Sequence, residues 1–302
     1  MKALSQNNRF KGIAFTVFAG MIFGFFPVFT SLFVRFGGEL DAFNLYGFVL
    51  TVILCAVWML VGKIPFAVPK KSVFFLVLAG FFNVVTRIFL TNSYFYIDVG
   101  VATTLHFMYP LFAALLGRIL FRDRMPLYKW AIFLIASASV SLFANGGFAG
   151  GQFKGIVLAL ISSVMFASYM LTTEKAHLAE LHPVAFVFYL SIVSAIGSLV
   201  MSLISGTVAS AMNGKAVLIL ILCVIANNAI AFIANAQGIR YLGAAMAAVF
   251  SLFEPIFSCI FGGIFLQQEI RGRAIIGIVL ILLSLVTMVL LDNRAAKKEE
   301  RQ

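Results

Sequence analysis

Long apolar stretches separated by short polar segments follow one another along the whole chain. Each is long enough to cross the roughly 30 Å hydrocarbon core of a bilayer as a helix. They cover residues 12–34, 42–62, 72–96, 99–121, 127–144, 153–174, 183–205, 215–241, 243–266 and 273–291. The pattern predicts an all-α integral membrane protein with ten transmembrane helices, numbered here 1 to 10, in a single membrane domain over residues 1–302.

The composition supports this fold class and argues against an enzyme. Hydrophobic residues make up 62% of the chain and charged residues 11%, whereas soluble domains carry about 25% charged residues. No Gly-x-Ser-x-Gly motif or phosphate-binding loop occurs, and the three histidines and three cysteines lack metal-ligand spacing. We therefore expect no enzymatic activity, no cofactor and no metal.

Lysine and arginine are distributed unevenly between the two sets of loops. If both termini lie on one side, that side carries sixteen of the 22 basic residues, and the other side carries five. The positive-inside rule then places both termini in the cytoplasm of a multi-pass cell (inner) membrane protein. The net charge of +11 is explained by contact with the anionic lipid bilayer, without nucleic acid.

The second half of the chain repeats the first. The segment "KGIAFTVFAGMIFG" matches "KGIVLALISSVMFA" 143 residues later, and "AFNLY" matches "AFVFY" at the same offset. The segment "HFMYPLFAALLGRILFRDRM" matches "SLFEPIFSCIFGGIFLQQEI" at an offset of 145, which aligns Pro110 with Pro255. These matches predict a first five-helix repeat over residues 11–145 and a second over residues 152–292.

An odd number of helices in each repeat means that the second copy enters the membrane in the opposite orientation. Inverted repeats are typical of secondary transporters, in which a site near the bilayer midplane lies between the repeats and opens alternately to the two sides. A stable bundle without transport activity is the alternative. The repeat therefore favours a transporter.

Two of the repeated segments, "MYPLFAALLGRILFRDRM" and "LFEPIFSCIFGGIFLQQE", resemble the EamA-type members of the drug/metabolite transporter (DMT) superfamily. That family has a proline inside helices 4 and 9 and an acid just past each helix end, here Asp123 and Glu269. The similarity covers essentially the whole chain, but Phe23-Gly24 stands where the family often has Trp-Gly. The resemblance implies a secondary transporter with helices 5 and 10 at the periphery and a cavity lined largely by helices 1, 3, 4, 6, 8 and 9.

Polar side chains inside the predicted spans indicate which helix faces avoid lipid, because unpaired polar groups in hydrocarbon are costly. On helix 3 they fall on one face, and Asn83 there has Asn228 on helix 8 as its repeat counterpart. The residues predicted to bind substrate are Asn83, Arg87, Tyr94, His106, Tyr109, Asn227, Asn228, Ser251 and Glu254.

Glu254 is an acid in the middle of predicted helix 9, beside Pro255. A charge near mid-membrane costs about 2.5 to 3.5 kcal/mol, so its presence needs a reason. Glu254 could carry a driving proton, pair with Arg87, or hydrogen-bond to backbone groups that the proline leaves free. Its repeat counterpart is Tyr109, which argues against an acid that both halves need. The three alternatives stay open at the level of sequence.

Arg87 is the residue that we predict to bind substrate most directly. A buried guanidinium offers paired hydrogen bonds to a carboxylate or phosphate, and Phe232 occupies the equivalent position of the second half. A structural bond to Glu254 or to a helix-end carbonyl is the alternative. Because a histidine can change charge near neutral pH, His106 is the second candidate for proton coupling. The alternative is that His106 is a hydrogen-bonded residue that serves only helix packing.

Pro110 and Pro255 are predicted to kink helices 4 and 9 as a symmetric pair and so to act as hinges. Gly20 and Gly24 in helix 1 have the spacing that allows close helix approach, which we expect to serve packing within the bundle.

The chain is thus predicted to be a secondary active transporter of a small polar metabolite, amino-acid-like or carboxylated, working by alternating access. Export, with proton coupling or exchange, is the expected mode. A passive facilitator or channel, or a lipid-linked sugar flippase of the same superfamily, is the alternative. The expected partners are the small-molecule substrate and the lipid bilayer, with the protein as a monomer or homodimer.

Overall fold

The computed structural model describes residues 6–122, 126–139, 142, 151–178, 181–207, 212–242, 250–269 and 272–299. Regular structure within these ranges is entirely helical. The ten helices, numbered in chain order, are α1 (Gln6–Gly24 and Phe26–Arg35), α2 (Leu40–Val61), α3 (Lys70–Ser93), α4 (Val99–His106 and Tyr109–Phe121), α5 (Leu127–Ser139), α6 (Gly151–Lys175), α7 (Pro183–Ser205), α8 (Gly214–Val224, Ile225–Ala231 and Phe232–Leu242), α9 (Phe253–Leu266) and α10 (Gly272–Glu299).

Eight of the ten helices are long and apolar enough to cross a membrane. The other two, α5 and α9, are shorter apolar helices of 13 and 14 residues. The sequence predicts that α5 continues to residue 144 and that α9 begins at residue 243, but residues 140–141, 143–150 and 243–249 lie outside the described ranges. The predicted fold class, an all-helical membrane protein, is confirmed.

Helices α4 and α9 end in the same way. Each is followed by a residue with left-handed backbone conformation, Arg122 at φ 59° and Gln267 at φ 56°. The backbone N–H of each donates to a glycine carbonyl five residues earlier, that of Gly117 and Gly262 respectively, which satisfies a carbonyl at the helix end. The 145-residue offset aligns these residues, so matching segments of the two halves share one local structure.

Two helices are interrupted at matching prolines. The break in α4 lies at Phe107 and Met108, just before Pro110, and a turn at Leu252 separates helical Phe250 and Ser251 from the start of α9, just before Pro255. Proline removes a backbone N–H, and its ring clashes with the carbonyl four residues earlier. The helix axis can therefore change direction at these two sites.

Two further interruptions occur in only one half. Helix α1 is broken at Phe25, before Pro27, whereas α6 is continuous. Helix α8 contains a π-helical segment, Ile225–Ala231, a feature that is often found at functional sites. The first part of α1 contacts this π-helical segment directly. The hydrophobic pattern indicated neither interruption.

Helix packing is unchanged when the two halves are exchanged. Helix α1 packs on α8 as α6 packs on α3, and α1 packs on α9 as α6 packs on α4. Of the remaining pairs, α2–α7, α4–α9 and α5–α10 join helices with the same position in each half, and α3 packs on α7 as α8 packs on α2. The two halves therefore interlock instead of forming separate bundles.

Helix α1 approaches α9 closely at its small residues. A Cβ atom added to Gly24 would lie 2.8 Å from the carbonyl oxygen of Glu254 and 2.8 Å from Cβ of Phe257. A Cβ added to Gly20 would lie 3.4 Å from the backbone nitrogen of Glu254. These two glycines serve packing within the bundle, as the spacing predicted.

The contact at Gly24 gives a first prediction. Gly24→Ala should lower the free energy of unfolding by about 1 to 3 kcal/mol, because the added methyl group has no space against α9. Thermal unfolding of the detergent-solubilised protein, followed by tryptophan fluorescence, measures the effect.

The matched control is Gly263→Ala. Gly263 lies on an exposed face of α9, where the added Cβ would meet only the carbonyl oxygen of Gln268, at 3.7 Å. This variant should be as stable as the parent or slightly more so, because alanine favours helix over glycine. Equal stability of the two variants would contradict a tight α1–α9 contact.

Candidate functional site

A cavity of about 170 Å³ lies between helices from both halves, α1, α2 and α3 from the first and α7 and α8 from the second. It extends from the first turn of α2 to the middle of that helix. Its lining residues are Phe26, Phe43, Asn44, Gly47, Phe48, Thr51, Asn83, Arg87, Val187, Leu190, Ser191, Leu220, Cys223, Val224, Asn227 and Asn228.

Arg87 is the charged residue among these lining residues. Its guanidinium carbon Cζ lies 4.1 Å from the ring centroid of Phe26 and 5.5 Å from that of Phe48. Such cation–π contacts stabilise a desolvated cation. With the described residues, the guanidinium forms no ion pair and no hydrogen bond. Its donors are therefore available to a ligand in the cavity.

Two equivalent hydrogen bonds cross between the halves beside the cavity. Asn228 of α8 donates from Nδ2 to Oγ1 of Thr51 on α2 at 2.5 Å, and Asn83 of α3 donates to Oγ of Ser194 on α7 at 3.1 Å. The repeat offsets of 145 and 143 residues align the two donors and the two acceptors with each other. In both cases a hydroxyl group of one half accepts a hydrogen bond from a cavity asparagine of the other half.

Two other asparagines that line the cavity form hydrogen bonds within their own half of the chain. Asn44 donates from Nδ2 to Oγ1 of Thr91 on α3 at 3.3 Å. Asn227 donates to the carbonyl oxygen of Cys223, one turn earlier, at 3.1 Å. Asn227 belongs to the π-helical segment of α8, which places it and Asn228 on the cavity together.

An aromatic cluster lies at the end of the cavity at which α2 and α8 begin. The rings of Phe26 and Phe43 are 5.9 Å apart, and those of Phe33 and Phe43 are 5.0 Å apart. Phe33 is completely buried, and Leu220 of α8 packs into the same cluster. Aromatic and aliphatic side chains therefore surround that end of the cavity.

His106 and Tyr109 lie elsewhere, at the contact between α4 and α6. Nδ1 of His106 is 3.1 Å from Oγ of Ser162, and both side chains are buried. The ring of Tyr109 packs edge-on against Phe166 at 4.6 Å, and the His106 ring lies 5.1 Å from the same phenylalanine. These residues form a packed helix interface, and they are not among the residues that line the cavity.

Glu254 is positioned at the contact between α1 and α9. Its backbone packs against Gly20 and Gly24, and its carboxyl group lies close enough to Tyr94 and Tyr109 to interact with them electrostatically. It forms no ion pair with Arg87 within the described part of the chain. Glu254 therefore belongs to the α4–α9 side of the bundle, away from the residues that line the cavity.

Tyr94 and Ser251 are the remaining predicted residues, and neither lines the cavity. The side chain of Tyr94 lies near that of Thr103, and Oγ1 of Thr103 is 3.1 Å from Oγ of Ser258 on α9. Ser251 lies one turn before Pro255 and does not line the cavity. Asp123, the acid expected after α4, lies outside the described residues.

The structure thus brings together four of the nine predicted substrate residues, Asn83, Arg87, Asn227 and Asn228. The other five do not line this cavity; they are Tyr94, His106, Tyr109, Ser251 and Glu254. The resemblance implied a cavity lined by helices 1, 3, 4, 6, 8 and 9, whereas α2 and α7 contribute in place of α4, α6 and α9. Sequence reasoning missed Asn44, Thr51 and Ser191, although their amide and hydroxyl groups lie within apolar spans.

Comparison with known proteins agrees with this architecture. The chain is 24% identical over 238 residues to a protein of Synechocystis sp. (strain ATCC 27184 / PCC 6803 / Kazusa) described as an uncharacterized transporter, a match that covers 76% of this chain and 71% of that protein. A solved crystal structure of a protein covers 94% of this chain and 98% of its own, with a TM-score of 0.62 and 17% identity, which shows a shared fold.

The model of the EamA-like transporter family matches this chain twice, at residues 10–145 and at residues 153–290. The two matches together span nearly the whole sequence, and each covers five helices. The chain therefore belongs to the EamA-like transporter family and is a membrane transporter.

Proposed function

We propose that the protein is a secondary carrier of a small carboxylated or amino-acid-like metabolite, which binds in the cavity through Arg87. The observation that carries this proposal is a guanidinium that lines a cavity without an acidic partner among the described residues. A desolvated cation needs an anion or water to compensate its charge. A carboxylate fits the planar fork of the guanidinium with two parallel hydrogen bonds.

The arrangement of the helices supports alternating access. The cavity lies between the halves, and the packing of the helices is the same when the halves are exchanged. We propose that the halves are inverted repeats and that an equivalent conformation, in which they have exchanged roles, opens the site to the other side. The breaks before Pro110 and Pro255 are the proposed hinges.

The uneven distribution of basic residues supports cytoplasmic termini in a cell membrane. Export is the proposed direction, with coupling to protons or exchange for a second substrate. Glu254 and His106 are the proposed proton carriers, since both lie within the membrane domain and neither pairs with a cation in the described residues. Protonation there would act on the cavity through the α4–α9 and α1–α9 contacts.

Counterflow in proteoliposomes tests the proposal. Vesicles loaded with unlabelled amino acids, small carboxylic acids or nucleosides are diluted into the labelled compound, with and without a pH gradient. Saturable accumulation of a carboxylate against its own gradient would establish a carrier. Linear, unsaturable equilibration would establish a passive facilitator instead, and the absence of any flux across the panel would point to a lipid-linked cargo.

Arg87→Ala should abolish counterflow of an anionic substrate, because the cavity loses its cation. Arg87→Lys keeps the charge but loses the fork geometry, so it should retain a small part of the activity. The control is Arg35→Ala, which removes an exposed arginine at the end of α1 that does not line the cavity. Parental rates in Arg87→Ala, at equal amounts of reconstituted protein, would remove Arg87 from the site.

Pro110→Ala and Pro255→Ala should each slow exchange several-fold while changing substrate affinity little, because a restored backbone hydrogen bond stiffens the break. Turnover and half-saturation in counterflow separate the two effects. Pro65→Ala, in the loop between α2 and α3, is the control and should leave turnover unchanged. Unchanged turnover in both helix variants would contradict the hinge role.

A further inference from the structure

The ring of Phe26 lies directly against the guanidinium group of Arg87. Cζ of Arg87 is 4.1 Å from the centroid of that ring and 5.5 Å from the centroid of the Phe48 ring. Phe26 belongs to α1, Phe48 to α2 and Arg87 to α3, and all three line the cavity. Two other helices therefore each supply an aromatic ring to the cation of the cavity.

A ring can hold a guanidinium without using its hydrogen-bond donors. The attraction comes from the negative face of the ring, whereas a carboxylate side chain would accept hydrogen bonds from the N–H groups. No hydrogen bond or ion pair joins the Arg87 side chain to the described residues. The cation–π contacts therefore restrain this side chain and leave its N–H groups to a ligand.

Restraint matters because a flexible arginine must be ordered before it can bind. An arginine side chain carries about 2 kcal/mol of rotamer entropy, and a contact with two hydrogen bonds to a carboxylate requires one orientation of the fork. Contacts that select this orientation in the empty site remove part of that cost from binding. A ring that touches only the guanidinium can thus raise the affinity for a carboxylate.

The Phe26 ring is itself held by its neighbours. Phe26 is the first residue of the second part of α1, after the break at Phe25, and Pro27 follows it. Its ring lies 5.9 Å from that of Phe43, which in turn lies 5.0 Å from the completely buried ring of Phe33. Packing between α1 and α2 therefore keeps the ring in place beside the cation.

The second half of the chain contains the same pair of rings at matching positions. Tyr169 and Phe186 stand 143 residues after Phe26 and Phe43, and their ring centroids are 6.4 Å apart. Neither Tyr169 nor Phe186 lines the cavity. The aromatic pair is therefore part of the scaffold that the two halves share.

The two halves differ in what the first ring of the pair meets. Phe232 stands 145 residues after Arg87, so the second half has an apolar side chain at the position of the cation. Among the described residues, Phe26 has a cation against its ring and Tyr169 has none. Tyr169 is thus a control for Phe26 that has the same place in the scaffold.

Resting on the proposed function, we propose that Phe26 is a positioning residue for the anion site. Its ring keeps the guanidinium of Arg87 in the orientation in which the fork binds a carboxylate, and Phe48 is a second, more distant support. The break in α1 places the Phe26 ring at this site. The aromatic pair of the shared scaffold has thereby gained a role in substrate binding in the first half only.

Propionate and alanine serve as carboxylate probes, since each is smaller than the benzene that a cavity of about 150 Å³ holds. Their affinities are measured by calorimetry on the full chain in detergent. In Phe26→Leu both should bind about three- to tenfold more weakly, as expected for the loss of a cation–π contact. Phe26→Tyr should keep the parental affinities, because it retains an aromatic face and tyrosine occupies the equivalent position of the second half.

A trifluorinated phenylalanine at position 26 separates the charge effect from packing. It nearly keeps the size of the ring but removes most of the negative charge from its faces, so both probes should bind about two- to fivefold more weakly. The same analogue in place of Phe33, a buried ring of this cluster that does not line the cavity, should leave both affinities unchanged. Tyr169→Leu should also leave them unchanged.

The outcomes separate this inference from the carrier proposal. Parental affinities in Phe26→Leu and in the trifluorinated protein, with binding lost in Arg87→Ala, would overturn the role of Phe26 and leave the anion site standing. Weaker binding in Phe26→Leu alone would assign Phe26 to packing and also overturn the inference. If the parent protein binds neither probe, the inference and the proposed anion site are both contradicted. The trifluorinated protein gives the answer even where Phe26→Leu does not fold.

Discussion

A positive charge held inside the membrane domain without a carboxylate partner is the constraint on which the rest of this structure depends. Burying such a charge on a membrane helix costs about 2.5 to 3.5 kcal/mol or more, so its surroundings must provide compensation. Here the guanidinium of Arg87 contacts the rings of Phe26 and Phe48 and faces a cavity lined by amide and hydroxyl groups. The compensation is incomplete in the described residues, and an anionic substrate would complete it. In the proposed mechanism, transport follows from moving the helices that enclose this charge.

The scaffold is repeated, whereas the site is not. The hydrogen bonds from Asn83 and Asn228 to the opposite half are equivalents of each other and hold the two halves in register. The charge has no such equivalent, because Phe232 occupies the position that corresponds to Arg87. The break before Pro27 and the π-helical segment Ile225–Ala231 also occur in one half only, and both adjoin the cavity. In the proposed mechanism, symmetry serves the conformational change, and departures from symmetry create the binding site.

The sequence predicted the fold well for a physical reason. Membrane helices must form their backbone hydrogen bonds within the helix and must present apolar side chains to the lipid. Arg87, Asn83 and Asn228 were recognisable as cavity residues because each is strongly polar within an apolar span. Polarity alone did not distinguish a cavity from a polar contact between helices, so His106, Tyr109 and Glu254 looked equivalent to them. Asn44 and Thr51 went unrecognised since an amide or hydroxyl group in a span is often satisfied locally, as Thr51 is by the carbonyl oxygen of Gly47. Only the packing of α2 against α7 and α8 brings them to the site.

Protection of one thiol group by substrate tests the central claim most directly. Cys223 lines the cavity, and the other cysteines of the chain, Cys55 and Cys259, can be replaced by alanine. The rate at which a small anionic thiosulfonate reagent modifies Cys223 is then measured with increasing carboxylate substrate. The account predicts that substrate slows modification with the same half-saturation as its binding, and that Arg87→Ala removes this protection. Modification at an unchanged rate under saturating substrate would contradict the placement of the substrate site in this cavity.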